Sequence, residues 1–258
     1  MLCEFLDVFS TLKKYFGSFS QIPFEISVPE SSAPVTCRPQ RINPALAKEV
    51  EATINHYLAA ELIQHSTSPY SSPLVVIPKT SGGLRITVNC KKLNQISTLS
   101  QLPIPRVDQV LDTLGSGLVF SLLDLVSAFH QTKAHKDTVP LTAFCTPTGL
   151  YEWFVMPQGS SASSGWFVKV IYDMIKDLKQ VAAYLDDVNV FDSGLIAHIQ
   201  TIRSLFELLR KHNLKLSPSK ARLGATDANF LGHSISPADL RQNAEDVSAL
   251  INLSLIHI

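Results

Sequence analysis

Apolar residues recur along this chain with two periods, one helical and one alternating, and together they lay out its elements. Asn43-Pro44 reads as an N-cap followed by proline at the first helical position. Leu46, Val50, Ile54, Tyr57, Leu58 and Leu62 then return at helical spacing, which predicts an amphipathic helix to about Gln64. Two short apolar runs follow, Leu74 to Ile77 and Leu84 to Val88, with Thr80-Ser-Gly-Gly83 between them as a hairpin tip. Pro105 to Leu114 predicts a short helix that stops at Gly115. Phe167, Val170, Ile171, Met174, Ile175 and Leu178 share one face of a helix over Trp166 to Leu178. Ile202, Leu205 and Phe206 do the same over Ile199 to Leu209. Strand-like runs fill the gaps, and there is no internal repeat. Helices over an antiparallel sheet imply an α+β fold. Residues 1–44, rich in proline and serine (Pro23, Pro29, Ser31, Ser32, Pro34, Pro39, Pro44), read as an extended linker.

The informative break in this pattern is Tyr184-Leu185-Asp186-Asp187. Two adjacent carboxylates stand between the apolar runs Val181 to Tyr184 and Val188 to Phe191, as the turn of a hairpin. At about 4 Å, two carboxylates repel by roughly 4 kcal/mol at an effective dielectric near 20. A divalent metal is the simplest offset, and metal-assisted phosphoryl transfer the simplest chemistry. The plainer alternative is a solvated turn, because aspartate favours turns. A third carboxylate, Asp124, closes the apolar run that starts at Val119. An acid at the end of a buried strand is costly unless it is paired or bound to metal. Its plainer role is an N-cap for a short helix over Ser127 to Gln131. Three carboxylates on adjacent strand ends of one sheet make a site for two Mg²⁺ ions.

Composition narrows the field without deciding it. The chain has 258 residues, enough for one large domain or two subdomains, with 45% hydrophobic and 17% charged residues. Zero net charge weighs against a non-specific nucleic-acid coat protein. A local basic groove stays open through Lys91-Lys92, Arg210-Lys211, Lys215, Lys220 and Arg222. Cys3, Cys37, Cys90 and Cys145 form no CxxC pair and read as reduced thiols of an intracellular protein. The histidines show no metal-binding spacing. No apolar stretch has the length of a membrane span, and Glu4 and Asp7 argue against a signal peptide.

The motifs as a set resemble the reverse transcriptase of gypsy-type long-terminal-repeat retrotransposons. They run in family order: Ser72-Pro-Leu-Val-Val-Ile-Pro-Lys79, Arg85-Ile-Thr-Val-Asn-Cys-Lys-Lys-Leu-Asn94, Leu102-Pro-Ile-Pro-Arg106 and Leu123-Asp-Leu-Val-Ser-Ala-Phe-His-Gln131. Then come Thr142-Ala-Phe144, Val155-Met-Pro-Gln-Gly159, Tyr184-Leu-Asp-Asp187 and Phe230-Leu-Gly-His233. The resemblance spans roughly residues 45–237 and implies the fingers and palm of a right-hand polymerase. It implies fingers over 45–98 and 132–162, and palm over 99–131 and 163–237. Residues 1–44 would then join a protease to the polymerase within a polyprotein, and 238–258 would open the thumb and connection. Asn252 to Ile258 do not match the family and resemble translated adapter sequence.

The resemblance also implies roles. Asp124 and Asp186 bridge two Mg²⁺ ions, for which Mn²⁺ is the expected substitute, and Asp187 contributes mainly charge. Lys79 and Arg85 close over the triphosphate. Phe129 excludes a ribose 2′-hydroxyl. Gln158, Gly159 and Tyr184 line the nucleotide site, and Lys220 protonates the leaving pyrophosphate. Phe230, Leu231, Gly232 and His233 grip the primer. Each has a plainer reading: a charged hairpin, a core aromatic, a surface lysine, an ordinary β-turn. The implied activity is RNA-directed DNA polymerisation of dNTPs on a primed RNA or DNA template. Dimer formation is open, no membrane is involved, and the expected location is a cytoplasmic virus-like particle.

Some positions depart from the family. Ser164 replaces proline, Cys90 replaces Tyr or Phe, Asn89 replaces the commoner Asp, and Asn189 stands where an apolar residue is expected. These favour a second reading, a decayed transposon remnant that folds and at most binds nucleic acid. A third, another two-metal nucleotidyltransferase such as an RNA-dependent RNA polymerase, is opposed by Phe129 and the gypsy-like segments.

Overall fold

The computed structural model describes residues 2–10, 16–79, 82–98, 104–236 and 239–242. The expected hairpin tip at Thr80-Ser81, the start of the Leu102–Arg106 motif and the segment 243–258 lie outside the described residues.

In chain order the elements begin with a 3-10 turn, Leu2–Val8, then strand β1 (Phe19–Phe24) and helix α1 (Pro44–Ala59). Next come β2 (Ile63–His65), β3 (Ser72–Pro78), β4 (Leu84–Val88), α2 (Lys91–Ile96), α3 (Val107–Leu114) and β5 (Val119–Asp124). Strands β6 (Thr132–Ala134), β7 (Phe144–Thr146) and β8 (Gly149–Trp153) precede α4 (Ser161–Ile175). Then follow β9 (Val181–Tyr184), β10 (Asp187–Asp192), α5 (Leu195–Lys211), β11 (Arg222–Ala225), β12 (Ala228–Phe230), β13 (His233–Ser236) and β14 (Asp239–Gln242).

Two larger sheets carry the architecture, which is α+β as expected. The first runs β2-β8-β7-β3-β4, and its core is an aromatic stack in which Phe144 lies 5.5 Å from Trp153 and 5.7 Å from Tyr151. The second is antiparallel throughout, in the order β11-β5-β10-β9. Side chains alternate across a strand, so this sheet buries two different faces. Leu123, Val181, Val188 and Val190 pack with the main core, which includes the apolar stripes of α4 (Phe167, Val170, Ile171) and α5 (Ile202, Leu205, Phe206). Phe120, Leu122, Phe191 and Tyr184 face a smaller cluster with Val110, Leu111 and Leu114 of α3 and with Phe230 and Ile235. Thus α4 and α5 share one face, while the short α3 lies on the other with the β12-β13-β14 sheet.

Several boundaries moved. Helix α1 starts as predicted, with Asn43 Oδ1 accepting from Ala45 N–H, but it ends at Ala59 rather than Gln64. Glu61 turns the chain with φ +53°, and Ile63 then pairs with Trp153 across β8. A non-local strand pairing has overridden local helical spacing. Helix α4 begins five residues before Trp166, because Ser160 caps it by accepting from Ala162 N–H. The alternative of Asp124 as an N-cap fails: Ser127 holds that position, at φ +45° and without a side-chain cap bond.

The expected extended linker is instead packed onto the body of the protein over much of its length. Phe5 and Val8 are fully buried against α5. Arg210 clamps Asp7 with Nε and Nη2 and stacks over Phe5 at 4.4 Å, and Arg203 pairs with Glu4 at 3.0 Å. Strand β1 runs parallel to β6 and buries Phe19 and Phe24. Proline and serine content hid this, because a single strand and a 3-10 turn need only a few apolar anchors. Two members of the suggested basic groove are consumed here, since Arg210 holds the Asp7 carboxylate and the buried Lys215 donates to the Asp7 carbonyl at 2.7 Å.

Candidate active site

The site forms where β5 and β10 end together. Their register sets Asp187 directly opposite Asp124, on the face that also carries Leu122 and Asn189. Cβ atoms of such cross-strand partners lie roughly 4.5–5.5 Å apart. Asp186 follows in the two-residue turn between Tyr184 and Asp187, which pair with each other. Leu185 takes φ +53° there, a conformation disfavoured for a branched residue by about 1–2 kcal/mol. Asp186 is therefore exposed at the tip, Asp187 half-buried, and Asp124 anchored between them and the sheet. The Asp186 carbonyl accepts from Leu125 N–H at 3.0 Å, tying the turn to the end of β5.

Electrostatics record the crowding. Burial, then the charges of Asp186 and Asp124, push the Asp187 carboxyl up to about 6, against a smaller opposing effect of Lys220. Lys220 donates to Asp124 Oδ2 at 2.7 Å; its ammonium is largely exposed and the carboxylate is not. Among the described residues no three His, Cys, Asp or Glu side chains converge closely enough to hold an ion as they stand. The donor chemistry nonetheless fits a hard divalent cation: oxygen donors only, and negative charge that one ammonium does not balance.

Two clefts open from this point, and Asp124 and Lys220 line both. The first, of about 200 Å³, brings together Lys79, Arg85, Gln158, Asp124, Asp186 and Lys220. Residues far apart in sequence thus meet around one polar space. The β3-β4 hairpin holds Lys79 and Arg85 exposed over it. Gln158 is fixed because its carbonyl accepts from Val88 N–H at 3.0 Å. Gly159 has φ +116°, and a Cβ there would fall 1.9 Å from the Val88 carbonyl oxygen, so only glycine fits. The second cleft, of about 140 Å³, is lined by Asp187, Asn189, Asn229, Phe230 and Leu231. Here Phe230 pairs with His233 across a two-residue turn in which Leu231 (φ +49°) and Gly232 (φ +75°) are both left-handed. His233 Nδ1–H donates back to the Leu231 carbonyl at 2.9 Å.

Not every predicted residue arrives at the first cleft. Phe129 packs edge-on against Phe167, with ring centroids 5.6 Å apart, and does not line it. Tyr184 packs against the α3 cluster. Three polar lining residues had not been foreseen, Tyr57, Ser127 and His130, beside the apolar Leu84, Ile86 and Leu125. Neither nitrogen of His130 has a partner; its ring stacks 4.8 Å from Trp153, and burial lowers its pKa to about 4. It is therefore a neutral imidazole. The only sequence cue was its place beside Phe129.

A hairpin that presents two carboxylates beside a third on a four-stranded antiparallel sheet, with a second sheet and its cationic hairpin across a cleft, is the arrangement of a palm-and-fingers polymerase. Residues 77–235 match the family described as "Reverse transcriptase (RNA-dependent DNA polymerase)", and the chain belongs to that family. Among its relatives is the Retrovirus-related Pol polyprotein from transposon 297 of Drosophila melanogaster. The two are 35% identical over 211 residues, which is 79% of this chain and 20% of the relative. The Transposon Tf2-3 polyprotein of Schizosaccharomyces pombe is 25% identical over 232 residues, 89% of this chain and 17% of the relative. The chain thus spans about a fifth of the length of these polyproteins. The same fold occurs in the foamy viral protease-reverse transcriptase solved in complex with ds DNA. That likeness has a TM-score of 0.91 at 22% identity, over 97% of this chain and 44% of the other. The resemblance to transposon reverse transcriptases is borne out.

Proposed function

We propose that this chain carries the nucleotidyl-transfer centre of an RNA-directed DNA polymerase, adding dNTPs to a primer 3′-hydroxyl on an RNA or DNA template. The observation that carries the reading is the Asp124–Asp187 cross-strand pair with Asp186 in the adjoining turn, of which Asp124 and Asp186 line a cleft that also holds Lys79, Arg85, Gln158 and Lys220.

Asp124, Asp186 and Asp187 would hold two Mg²⁺ ions, or Mn²⁺ in their place. Bound there, the metals supply a lowered pKa for the primer hydroxyl and neutralise charge on the triphosphate. Lys79 and Arg85 bind the phosphates, with arginine able to contact two oxygens at once. Gln158 hydrogen-bonds the nucleotide, and Gly159 lets the loop backbone approach it closely. Lys220, whose Nζ donates to Asp124 Oδ2 at 2.7 Å, would give a proton to the departing pyrophosphate. The hairpin at Phe230, Leu231, Gly232 and His233 holds the primer end on the opposite side of Asp187. Phe129 acts on the sugar only if the Phe129–Phe167 contact opens on nucleotide binding. The foamy viral enzyme was also solved with an RNA/DNA hybrid, which supports a template-primer duplex as the partner.

A second reading, a catalytically decayed remnant, is favoured by Asn189. That residue is 3% exposed, and its Nδ2 has no partner. One experiment separates the two: primer extension on an RNA template with dNTPs, in Mg²⁺ and then Mn²⁺. The polymerase reading expects product from the native chain, and none from Asp124→Asn or Asp186→Asn, each of which removes a carboxylate ligand. Product from either variant at the native rate would refute the assignment; a folded native chain that makes no product would leave the remnant.

A further inference from the structure

A buried chain of hydrogen bonds lies under the metal-binding face and is not used by the mechanism above. His198 Nδ1 is 2.8 Å from Asp192 Oδ2, and His198 Nε2 is 2.7 Å from Ser121 Oγ. Gly224 N–H donates to the same Ser121 Oγ at 3.0 Å, and Thr201 Oγ1 lies 3.0 Å from Asp192 Oδ1. Ser121, His198 and Asp192 are 0%, 1% and 5% exposed. No cleft among those described reaches Ser121, so a nucleophilic role is excluded despite the serine–histidine–aspartate composition.

The direction of the chain follows from its ends. A carboxylate only accepts, so His198 donates through Nδ1–H to Asp192. In the neutral ring Nε2 is then an acceptor, and the Ser121 O–H donates to it. The Ser121 oxygen is left to accept from Gly224 N–H.

The site of that last bond matters. Strand β11 pairs with β5 through Arg222–Leu122 and Ala225–Phe120, three residues advancing on β11 against two on β5. The extra residue is a bulge, and Gly224 sits in it with φ +65°. A bulge shifts register by one residue, and such a shift moves the neighbouring side chains to the other face. Lys220 lies just before β11, in a turn held upstream by Ser217 N–H donating to the Asp124 carbonyl at 2.8 Å. The bulge is its downstream anchor. The geometry points to Ser121, His198 and Asp192 as positioning residues: by pinning the Gly224 bulge they set the register that holds Lys220 on Asp124. This inference rests on the proposed polymerase reading only for its kinetic arm.

Two measurements on the full chain test it. In hydrogen exchange read by mass spectrometry, Ser121→Ala should speed exchange over 220–225 at least tenfold while leaving the β3-β4 hairpin unchanged. Ser121→Thr, which keeps the hydroxyl, should restore slow exchange. In primer extension, Ser121→Ala should lower kcat about tenfold with less than a twofold change in the KM for dNTP. The Ser121→Ala/Lys220→Ala pair should be no slower than Lys220→Ala alone, because both act through one ammonium. Unchanged exchange over 220–225, or rate losses that multiply in the double variant, would overturn the assignment. A native chain that extends no primer would fail the polymerase reading while the exchange result still decides the role of Ser121.

Discussion

Replacing Asn189 with isoleucine should stabilise this protein. Asn189 lies in the middle of β10, between Leu122 of β5 and Ala182 of β9, at 3% exposure. Its Nδ2 has no partner. A buried unsatisfied donor costs about 1–3 kcal/mol, all of which the substitution removes. Isoleucine adds roughly 1.5–3 kcal/mol of apolar burial and suits a strand, against about 1–3 kcal/mol of overpacking. The cleft of about 140 Å³ beside the side chain keeps the overpacking toward the low end. A net gain of about 1–2 kcal/mol follows, or a rise in Tm of roughly 3–6 °C for a chain of this size. Thermal unfolding and urea titration of both proteins, without divalent ions and at one pH, would measure it. An equal or lower Tm would refute the reasoning and mean that the amide is satisfied by a bound water. The same variant tests whether the departure at Asn189 reflects decay: if it does, extension is unharmed by Asn189→Ile.

Other outcomes follow from the site and the core. Asp187 is more easily protonated folded than unfolded, so the stability from its protonated form is present below pH 3.8 and lost as pH rises through about 6. Asp187→Asn should therefore exceed the native protein by about 1–2 kcal/mol at pH 7–8, a figure reduced for a half-exposed group, and match it near pH 4. Denaturation midpoints across pH would show it, and a constant difference would disprove it. Gly159→Ala should cost about 2–4 kcal/mol or displace the Gln158 loop, since its Cβ would meet the Val88 carbonyl; unchanged Tm and nucleotide KM would contradict that. Phe5→Ala should cost about 3–5 kcal/mol if the N-terminal segment is part of the core, and a loss below 1 kcal/mol in urea titration would return it to a linker.

What could be read from sequence was local. Strands β9 and β10 and the β3-β4 hairpin followed from apolar runs and punctuation, because those pairings join neighbours in the chain; the turn itself fell one residue before the Asp186-Asp187 pair, at Leu185-Asp186, with Asp187 already paired to Tyr184. The three carboxylates stood out because charge at the end of an apolar run is costly wherever the strand goes. The order of motifs supplied the family. Tertiary structure decided what depends on distant partners. Helix α1 stopped at Ala59 because Ile63 pairs with Trp153, a contact no local window contains. Phe5, Val8 and β1 joined the core because α5 and β6 offered partners far along the chain, so a proline-rich segment became part of the body. Phe129 and Tyr184 turned to apolar neighbours, while Tyr57 and His130 came to the cleft. The register that places Asp187 opposite Asp124, and the bulge that leads into it from β11, are likewise settled by strand pairing. Sequence specifies which residues carry charge and which prefer burial. Which of them face one another is fixed only when whole faces are buried together, since a one-residue slip would turn each of them away.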